Sequence, residues 1–582
     1  MTYFGAIRRL VVGFGRAAVI VTLLVGAFGI GAAATMALVA VRDLPAPQAI
    51  ASSALVSDAT MFDRYDRRLA AFRIGRTHRE VVPFAAISPY LRAAVVASED
   101  ERFWSHRGLD FYGIARAAFA NITDGRRAQG GSTITQQLLK LAVLEDRPAM
   151  LRKVEEAMLA RRFEMVLTKE DLLALYLNAV YFGDGYSGVE AAVRGSFGLS
   201  AATVSISEAA LLTGRIPAPN AWSPTCASAE ARRQQQRVLR RMRDTDAITA
   251  DEYKVSLRAP VRLRLADETS PEIIAGLTNV VERVAPFRSG DRMATTFDLA
   301  VQQVAVNSLR ATLERYTRER GEHAGPRVSF GEAGVVWAND LVKLRDVVAG
   351  WRANDNERLV FDFRAITFGS TPPRACRLGS AVFRQAEPNG FASGVVTALE
   401  DRAATISLGD YVGRLDQRDA TWTRRPIATA APIGAVVDVR LPAHLPRQRG
   451  VTIPVTLIPR PLVQGAVVVV APKTREVLAL VGGIEEARGS FHRALQARRA
   501  IGSTVKPFTY ALALTRGVVV PDAILHDVPI SYVDPWSGAT WEPANWYEGY
   551  DGDVDIARAI ARSVNIAAVE TAFTVGITDV AA

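Results

Sequence analysis

The chain has 582 residues, 49% of them hydrophobic and 22% charged, with a formal net charge of +10. At roughly 100–200 residues per domain this is too long for one ordinary domain, and the composition is that of globular units. The positive charge is spread, with no block of five or six like charges, which excludes a nucleic-acid-binding tail.

Taken in chain order, the first element is an apolar run. From Ala17 to Val41 there is no charged residue. At about 1.5 Å rise per residue this run can cross the ~30 Å hydrocarbon core of a bilayer. Arg8, Arg9 and Arg16 precede it, while Arg42 and Asp43 offset each other behind it. The positive-inside rule therefore predicts a cytoplasmic arm over 1–16, a transmembrane anchor over 17–41 and an extracytoplasmic body. Residues 42–84 read as a linker. Residues 85–250 read as mainly helical, with apolar spacings of three to four in VEEAMLARRFEMVL and EDLLALYLNAVYF. The stretch SPTCASAEARRQQQRVLRRMRD (223–244) reads as a basic, solvated helix that closes this region. The pattern loosens over 251–329, which is expected to be a linker region. Short alternating runs over 330–460 predict a small β-rich module, of which an OB-like barrel is one possible form. Residues 461–582 alternate strands and helices, opening with two strands joined by a turn at Pro472–Arg475. Cys226 and Cys376 cannot form a disulfide framework, and no metal-ligand spacing surrounds them.

Several short stretches carry possible chemistry. Only seven of the 70 basic residues are lysine. An amine, unlike a guanidinium, can lose its proton when buried and act as a base. In RKVEE (152–156), Arg152, Lys153 and Glu156 share a helix face, which by itself is an ordinary ion-paired surface. Joined to ASEDERFWSHRGLD (97–110) and QGGSTITQQLLK (129–140), it suggests more. One carboxylate can serve as general base, cations can stabilise a leaving diphosphate, and the GGST turn can offer N–H groups to an anion at a helix start. Ser503-Thr504-Val505-Lys506 alone is a weak pattern, since a serine at a helix start is also what capping prefers.

These stretches, followed by TKEDLLALYLNAVYFGDGYSGVEAA and SEAALLTGRIPAPNAWSP, resemble the five ordered motifs of the peptidoglycan glycosyltransferases over about 95–224. The resemblance implies a lysozyme-like helical domain beside the membrane. It also implies Glu99 as the base that deprotonates the acceptor sugar hydroxyl. That hydroxyl attacks a polyprenyl-diphosphate-linked donor with inversion, building a β-1,4 glycan. Glu156 would assist at the diphosphate, with a divalent cation such as Mg2+ or Mn2+ as one means. Lys140, Arg152 and Lys153 match the diphosphate and substrate contacts. Ser132, Thr133 and Gln137 match the donor-site motif. The chain departs from the family in AAVRGSFGLS (191–200), where Ser196 and Leu199 replace an aromatic residue and a lysine. His106 is expected to be structural.

Further on, QGAVVVVAPKTREVLALVGG, FHRALQARRAIGSTVKPFTYALAL and WEPANWYEGYDGDVDIARAIARSVNIAAVE follow the order of the penicillin-binding transpeptidases. The whole is similar to a bifunctional class A penicillin-binding protein. That resemblance implies Ser503 as nucleophile, Lys506 as its base, Ser563 as proton relay and Asn565 as substrate positioner. A Lys-Thr-Gly motif is absent, since Lys473-Thr474-Arg475 lies upstream in a turn. The expected fold is thus multidomain: a transmembrane helix, a helical glycosyltransferase domain, a β-rich module and an incomplete α/β (α+β) serine transpeptidase. Expected partners are the lipid-linked precursor, glycan strands and stem peptides, the membrane, beta-lactams and cell-wall synthesis proteins, with no nucleic acid and no organic cofactor. A lytic muramidase and a non-catalytic cell-wall scaffold are the alternatives.

Overall fold

The computed structural model describes residues 31, 55–116, 131–142, 149–266, 277, 280–281, 287–354, 356–484, 491–534 and 537–581. The predicted arm 1–16 and anchor 17–41 lie outside these residues, apart from Gly31. No helix among the described residues is long and apolar enough to cross a membrane. The chain forms two compact units, Met1–Leu495 and Gln496–Ala582.

The first unit opens with β1 (Ala59–Phe62) and β2 (Arg68–Phe72), then a helical body. Its helices are α1 (Pro89–Glu99), α2 (Ile134–Ala142), α3 (Ala149–Val166) and α4 (Lys169–Ala179). A short hairpin of β3 (Tyr181–Gly183) and β4 (Tyr186–Ser187) follows, then α5 (Val189–Phe197), α6 (Ile206–Gly214), α7 (Ser228–Asp244) and α8 (Ala250–Arg258). The sequence starts these helices with explicit caps. Ser88 caps α1 with Pro89 at its first position. Thr168–Asp171, Ser205–Glu208 and Thr249–Glu252 form reciprocal capping boxes on α4, α6 and α8. Each helix buries one stripe: Leu91, Ala94 and Val95 from α1, Leu172, Leu173, Tyr176 and Leu177 from α4. Each large aliphatic side chain so buried contributes about 1.5–3 kcal/mol. The departures at Ser196 and Leu199 are accommodated locally. The Ser196 carbonyl accepts from Arg264 N at 2.8 Å, and Leu199 packs against the core.

The stretch 251–329 is not simply a linker. It holds α8, then β5 (Arg292–Ala294), which pairs parallel with β1, and the 22-residue α9 (Leu299–Arg320). The 330–460 region is not purely β either. After β6 (Val328–Ser329) comes α10 (Glu332–Arg352), whose buried Trp337, Leu341, Leu344, Val348 and Trp351 share the helical body's core. The apolar residues of α10 recur at three and four, a helical period that the alternating strands around it obscure. The strands are β7 (Leu359–Phe361), β8 (Phe383–Gln385), β9 (Phe391–Glu400), β10 (Ala403–Ser407), β11 (Val412–Asp416), β12 (Ala435–Arg440), β13 (Thr452–Pro454) and β14 (Thr456–Leu457). The sheet runs β13-β11-β10-β9-β12-β14, with β6, β7 and β8 attached. Buried Asp410 ties it to α10, accepting from Leu359 N at 2.6 Å and pairing with Arg345 at 2.7 Å.

The expected hairpin forms as β15 (Val467–Val470) and β16 (Val477–Val481), with Lys473 and Thr474 in its turn. It packs on α9 through Ala305, Val306, Ala479 and Val481. Gln302 of α9 both donates to and accepts from the Leu480 backbone, at 3.1 and 2.8 Å, filling the ladder's open edge. The second unit holds α11 (Lys506–Thr515), β17 (Ile524–Asp527) paired with β20 (Gly552–Asp555), β18 (Tyr532–Val533) paired with β19 (Thr540–Trp541), α12 (Ile556–Ala561), α13 (Asn565–Val575) and α14 (Ile577–Ala581). Tyr510, Val554, Ala559, Val564 and Ala567 form its core.

Cys226 and Cys376 are bonded to each other across 150 residues. The bond joins the loop before α7 to the short turn Ala375–Leu378 between β7 and β8, where Thr225 Oγ1 also donates to the Cys376 carbonyl at 2.9 Å. Such a long closed loop gives a disulfide most of its leverage on the unfolded chain. Cys226→Ser is expected to cost about 2–5 kcal/mol and to lower the thermal midpoint, read by calorimetry without reductant. A midpoint equal to the wild type's contradicts this.

Candidate active sites

The first site is built on the end of α1. Ser98, Glu99 and Asp100 close that helix, and each is held differently. Asp100 is buried and receives Ile134 N at 2.9 Å, while His106 Nε2 approaches the same oxygen at 2.9 Å. This pair pins the GGST turn to α1. Thr133 caps α2: its N–H donates to Gln136 Oε1 at 3.0 Å, and Gln136 N donates back to Thr133 Oγ1 at 3.2 Å. The Thr133 hydroxyl donates to the Gly108 carbonyl at 2.8 Å, so this residue shapes the turn that lines the cleft. Gly108 has φ +91°, and a Cβ there would meet the α3 backbone at 2.8 Å, so only glycine fits. His106 is structural, as expected.

Glu99 faces a cleft of about 510 Å3. Gln137 Nε2 donates to its Oε2 at 3.2 Å, and the buried Tyr176 hydroxyl donates to Gln137 Oε1 at 2.9 Å. A relay from α4 through α2 thus aims the carboxylate. Burial pushes the Glu99 carboxyl above its ordinary value, against the hydrogen bond from Gln137 and the charges of Arg237 and Arg241. Burial also pushes the Tyr176 hydroxyl well above its usual range, so it remains a donor.

Lys153 Nζ bridges Glu156 Oε2 at 2.8 Å and Ser132 Oγ at 2.9 Å. Glu156 is buried, and Lys140 is exposed on the same cleft. Glu99, Ser132, Thr133, Gln137, Lys140, Lys153 and Glu156 therefore line one cavity. Arg152 lies on α3, and its side chain is not described. Among the described residues no group of three or more carboxylate, histidine or cysteine side chains is arranged to hold a metal ion.

The stretch 223–244 is not merely a solvated helix. Ala231, Gln235, Val238, Leu239 and Met242 of α7 are buried, and Arg237 and Arg241 line the cleft beside Glu99. Arg241 donates to the Ser98 carbonyl at 2.8 Å. Sequence reading missed both. The available signal was their i,i+4 spacing along one edge of the buried stripe.

The second site lies in the second unit. A short turn, Gly502–Val505, leads into α11, with Pro507 in the helix's first turn and Ser503 exposed. Lys506 is buried. Its ammonium donates to the Ser563 carbonyl at 2.7 Å, to Ser563 Oγ at 3.1 Å and to Asn565 Oδ1 at 2.6 Å. Among the described residues no hydrogen bond joins Ser503 Oγ to Lys506. Burial lowers the Lys506 amine below its ordinary value. Ser563 has φ +53°, a strained left-handed conformation that turns both its oxygens toward Lys506. Asn565 Nδ2 donates to the Ala544 carbonyl at 2.7 Å. An apolar cavity of about 430 Å3 opens beside Lys506 and Asn565, walled by Trp541, Pro543 and Ala568. The four residues expected to carry this chemistry thus divide: Lys506, Ser563 and Asn565 are joined, and Ser503 stands apart from their hydrogen bonds.

Each site falls within a stretch that resembles known proteins. Residues 65–243 match the Transglycosylase family model, and residues 465–582 match the Penicillin binding protein transpeptidase domain. Penicillin-binding protein 1A of Escherichia coli (strain K12) is 30% identical over 519 residues, covering 86% of this chain and 56% of that protein. Penicillin-binding protein 1A of Vibrio cholerae is 28% identical over 552 residues, covering 92% of this chain and 62% of its own length. The chain thus spans about three-fifths of the curated relatives it matches. The crystal structure of penicillin-binding protein 1A from Haemophilus influenzae matches with a TM-score of 0.51 at 21% identity, over 90% of this chain and 62% of that one.

Replacing Lys506 removes the donor from three oxygens at once. The acceptors on Ser563 and Asn565 are half-buried, so the loss stays near the net worth of one or two hydrogen bonds, and Lys506→Met is expected to destabilise the second unit by about 1–2 kcal/mol. Amide hydrogen exchange over residues 496–581 in increasing urea checks this, and an unchanged midpoint for that unit contradicts it.

Proposed function

We propose that the chain is a class A penicillin-binding protein that polymerises a lipid-linked disaccharide-peptide into glycan and carries a serine transpeptidase site. The observation that carries the first reading is Glu99, aimed by the Tyr176–Gln137 relay into a cleft whose other wall is cationic. The acceptor sugar hydroxyl gives its proton to Glu99 and attacks the anomeric carbon. The bond to the diphosphate breaks from the opposite face, which inverts the centre. Burial raises the basicity of Glu99, which suits a base working near neutrality.

Lys153 and Lys140 stabilise the charge that grows on the departing diphosphate. Lys153 is oriented by Glu156 and Ser132, so its ammonium is fixed before the charge develops. Mg2+ takes one or two protein carboxylates and completes its shell with phosphate oxygens. Where a divalent cation accompanies the diphosphate, Glu156 is the carboxylate that would hold it. The pairing of Glu156 with Lys153 argues against a muramidase, whose second carboxylate must be free to act as nucleophile or as base toward water.

In the second site Ser503 is the nucleophile for a D-alanyl-D-alanine carbonyl. Lys506, with its proton affinity lowered by burial, is the base that takes the serine's proton as the acyl-enzyme forms. Asn565 and the cavity beside it receive the substrate. Beta-lactams, which carry a reactive amide, acylate the same serine. The body is proposed to work outside the cytoplasm at a membrane surface, on a single N-terminal anchor. The uncharged run 17–41, its flanking arginines and the Cys226–Cys376 bond support that placement.

Glu99→Gln is expected to cut polymer synthesis by about 10²–10⁴-fold, measured as chain formation from lipid-linked disaccharide-peptide. An unchanged yield shows that Glu99 is not the base. For the second site, a fluorescent penicillin is expected to give a covalent signal that Ser503→Ala removes. A signal that survives the substitution contradicts the assignment.

A further inference from the structure

Glu99 sits where a carboxylate is hardest to keep charged. It is half-buried and is the last residue of α1, at the negative end of the helix dipole. That helix has no basic residue in its last turn. Asp100 and Glu101 follow it directly. Apart from the adjacent Ser98 hydroxyl, which donates to Glu99 Oε1 at 3.4 Å, the local influences favour the neutral acid, which cannot accept a proton.

The groups facing Glu99 from other elements differ in what they can offset. Asp110 and Arg116 pair with Arg102 at 3.2 Å and with Glu101 at 3.3 Å, so each is largely matched where it stands. Lys153 of α3 is held by Glu156, and Lys140 of α2 is exposed. From α4, Tyr176 contributes a neutral hydroxyl passed on through Gln137. The remaining element is α7. Its buried face, Val238, Leu239 and Met242, fixes the rotation of the helix and so brings two guanidinium groups, Arg237 and Arg241, to the end of α1. Arg241 donates to the Ser98 carbonyl and so supplies the C-terminal cation that α1 lacks.

We propose that Arg237 and Arg241 are positioning residues for the glycosyl transfer: from α7 they hold ionised the Glu99 carboxylate that Gln137 aims into the cleft. This rests on the reading of Glu99 as the base. Their role is electrostatic and acts through Glu99; neither arginine is asked to touch the reacting atoms. Burial sets the basicity high and the two arginines trim it, leaving a base that is both charged and strong.

The test uses the full chain with Arg237→Gln, Arg237→Lys and Arg241→Gln. Circular dichroism confirms folding. An isotope-edited infrared titration follows the Glu99 carboxylate, with Glu99→Gln as the subtraction blank. Arg237→Gln is expected to raise the Glu99 midpoint by about half a unit to one unit. The acid limb of kcat/KM for polymerisation moves up by the same amount. Arg237→Lys restores most of the shift, and Arg241→Gln moves the midpoint in the same direction. An unmoved midpoint overturns the inference, and so does a loss confined to KM with the acid limb in place, which would mark these arginines as substrate contacts. If the wild type makes no polymer, the proposed function falls, and the infrared midpoint still decides the role of the arginines.

Discussion

A carboxylate placed at the negative end of a helix is the constraint on which the first site depends. Glu99 gains basicity from burial and from the dipole of α1, and the same two effects work to neutralise it. Three helices resolve the conflict from different sides. α4 and α2 orient the group through Tyr176 and Gln137, and α7 brings positive charge to the helix end. The buried stripes of those helices are ordinary core, but together they set the rotation of each polar face toward one cleft. The packing of the helical body therefore specifies the chemistry as much as the few polar residues do.

The floor of the cleft is equally committed. Asp100 cannot move without releasing both His106 and the start of α2. Thr133 is fixed by its own cap and by Gly108, whose lack of a side chain lets the turn lie against α3. Preorganisation of this kind lowers the reorganisation needed when charge develops in the transition state. The second site uses a related economy. Lys506 is buried and donates to oxygens of Ser563 and Asn565, so the amine is positioned without a carboxylate partner. Ser563 accepts an unfavourable backbone conformation to provide two of those contacts.

Much of the first site was legible because its motifs are long and their residue types have few other uses together. Glu99, Gln137, Lys153 and Glu156 could be named from sequence and do share one cleft. Thr133 was named from its place in the donor-site motif; it does line the cleft, and it also caps α2, a role the motif does not announce. Arg237 and Arg241 were not legible as site residues, because a basic helix face looks the same whether it meets water or a buried acid. The same limit hid α10, an amphipathic helix set among alternating strands. The pairing of Cys226 with Cys376 joins loops 150 residues apart, and two cysteines carry no spacing signal from which to infer it. Long-range juxtaposition, rather than local propensity, separates what sequence could show from what it could not.

The central claim is that Glu99 and its cationic cleft perform transfer rather than hydrolysis. The most direct measurement gives purified protein two substrates in parallel, a lipid-linked disaccharide-peptide and finished glycan, and identifies the products. The account predicts β-linked polymer from the first and no soluble fragments from the second. Soluble muropeptides released from finished glycan, with no polymer formed from the lipid-linked substrate, would contradict it.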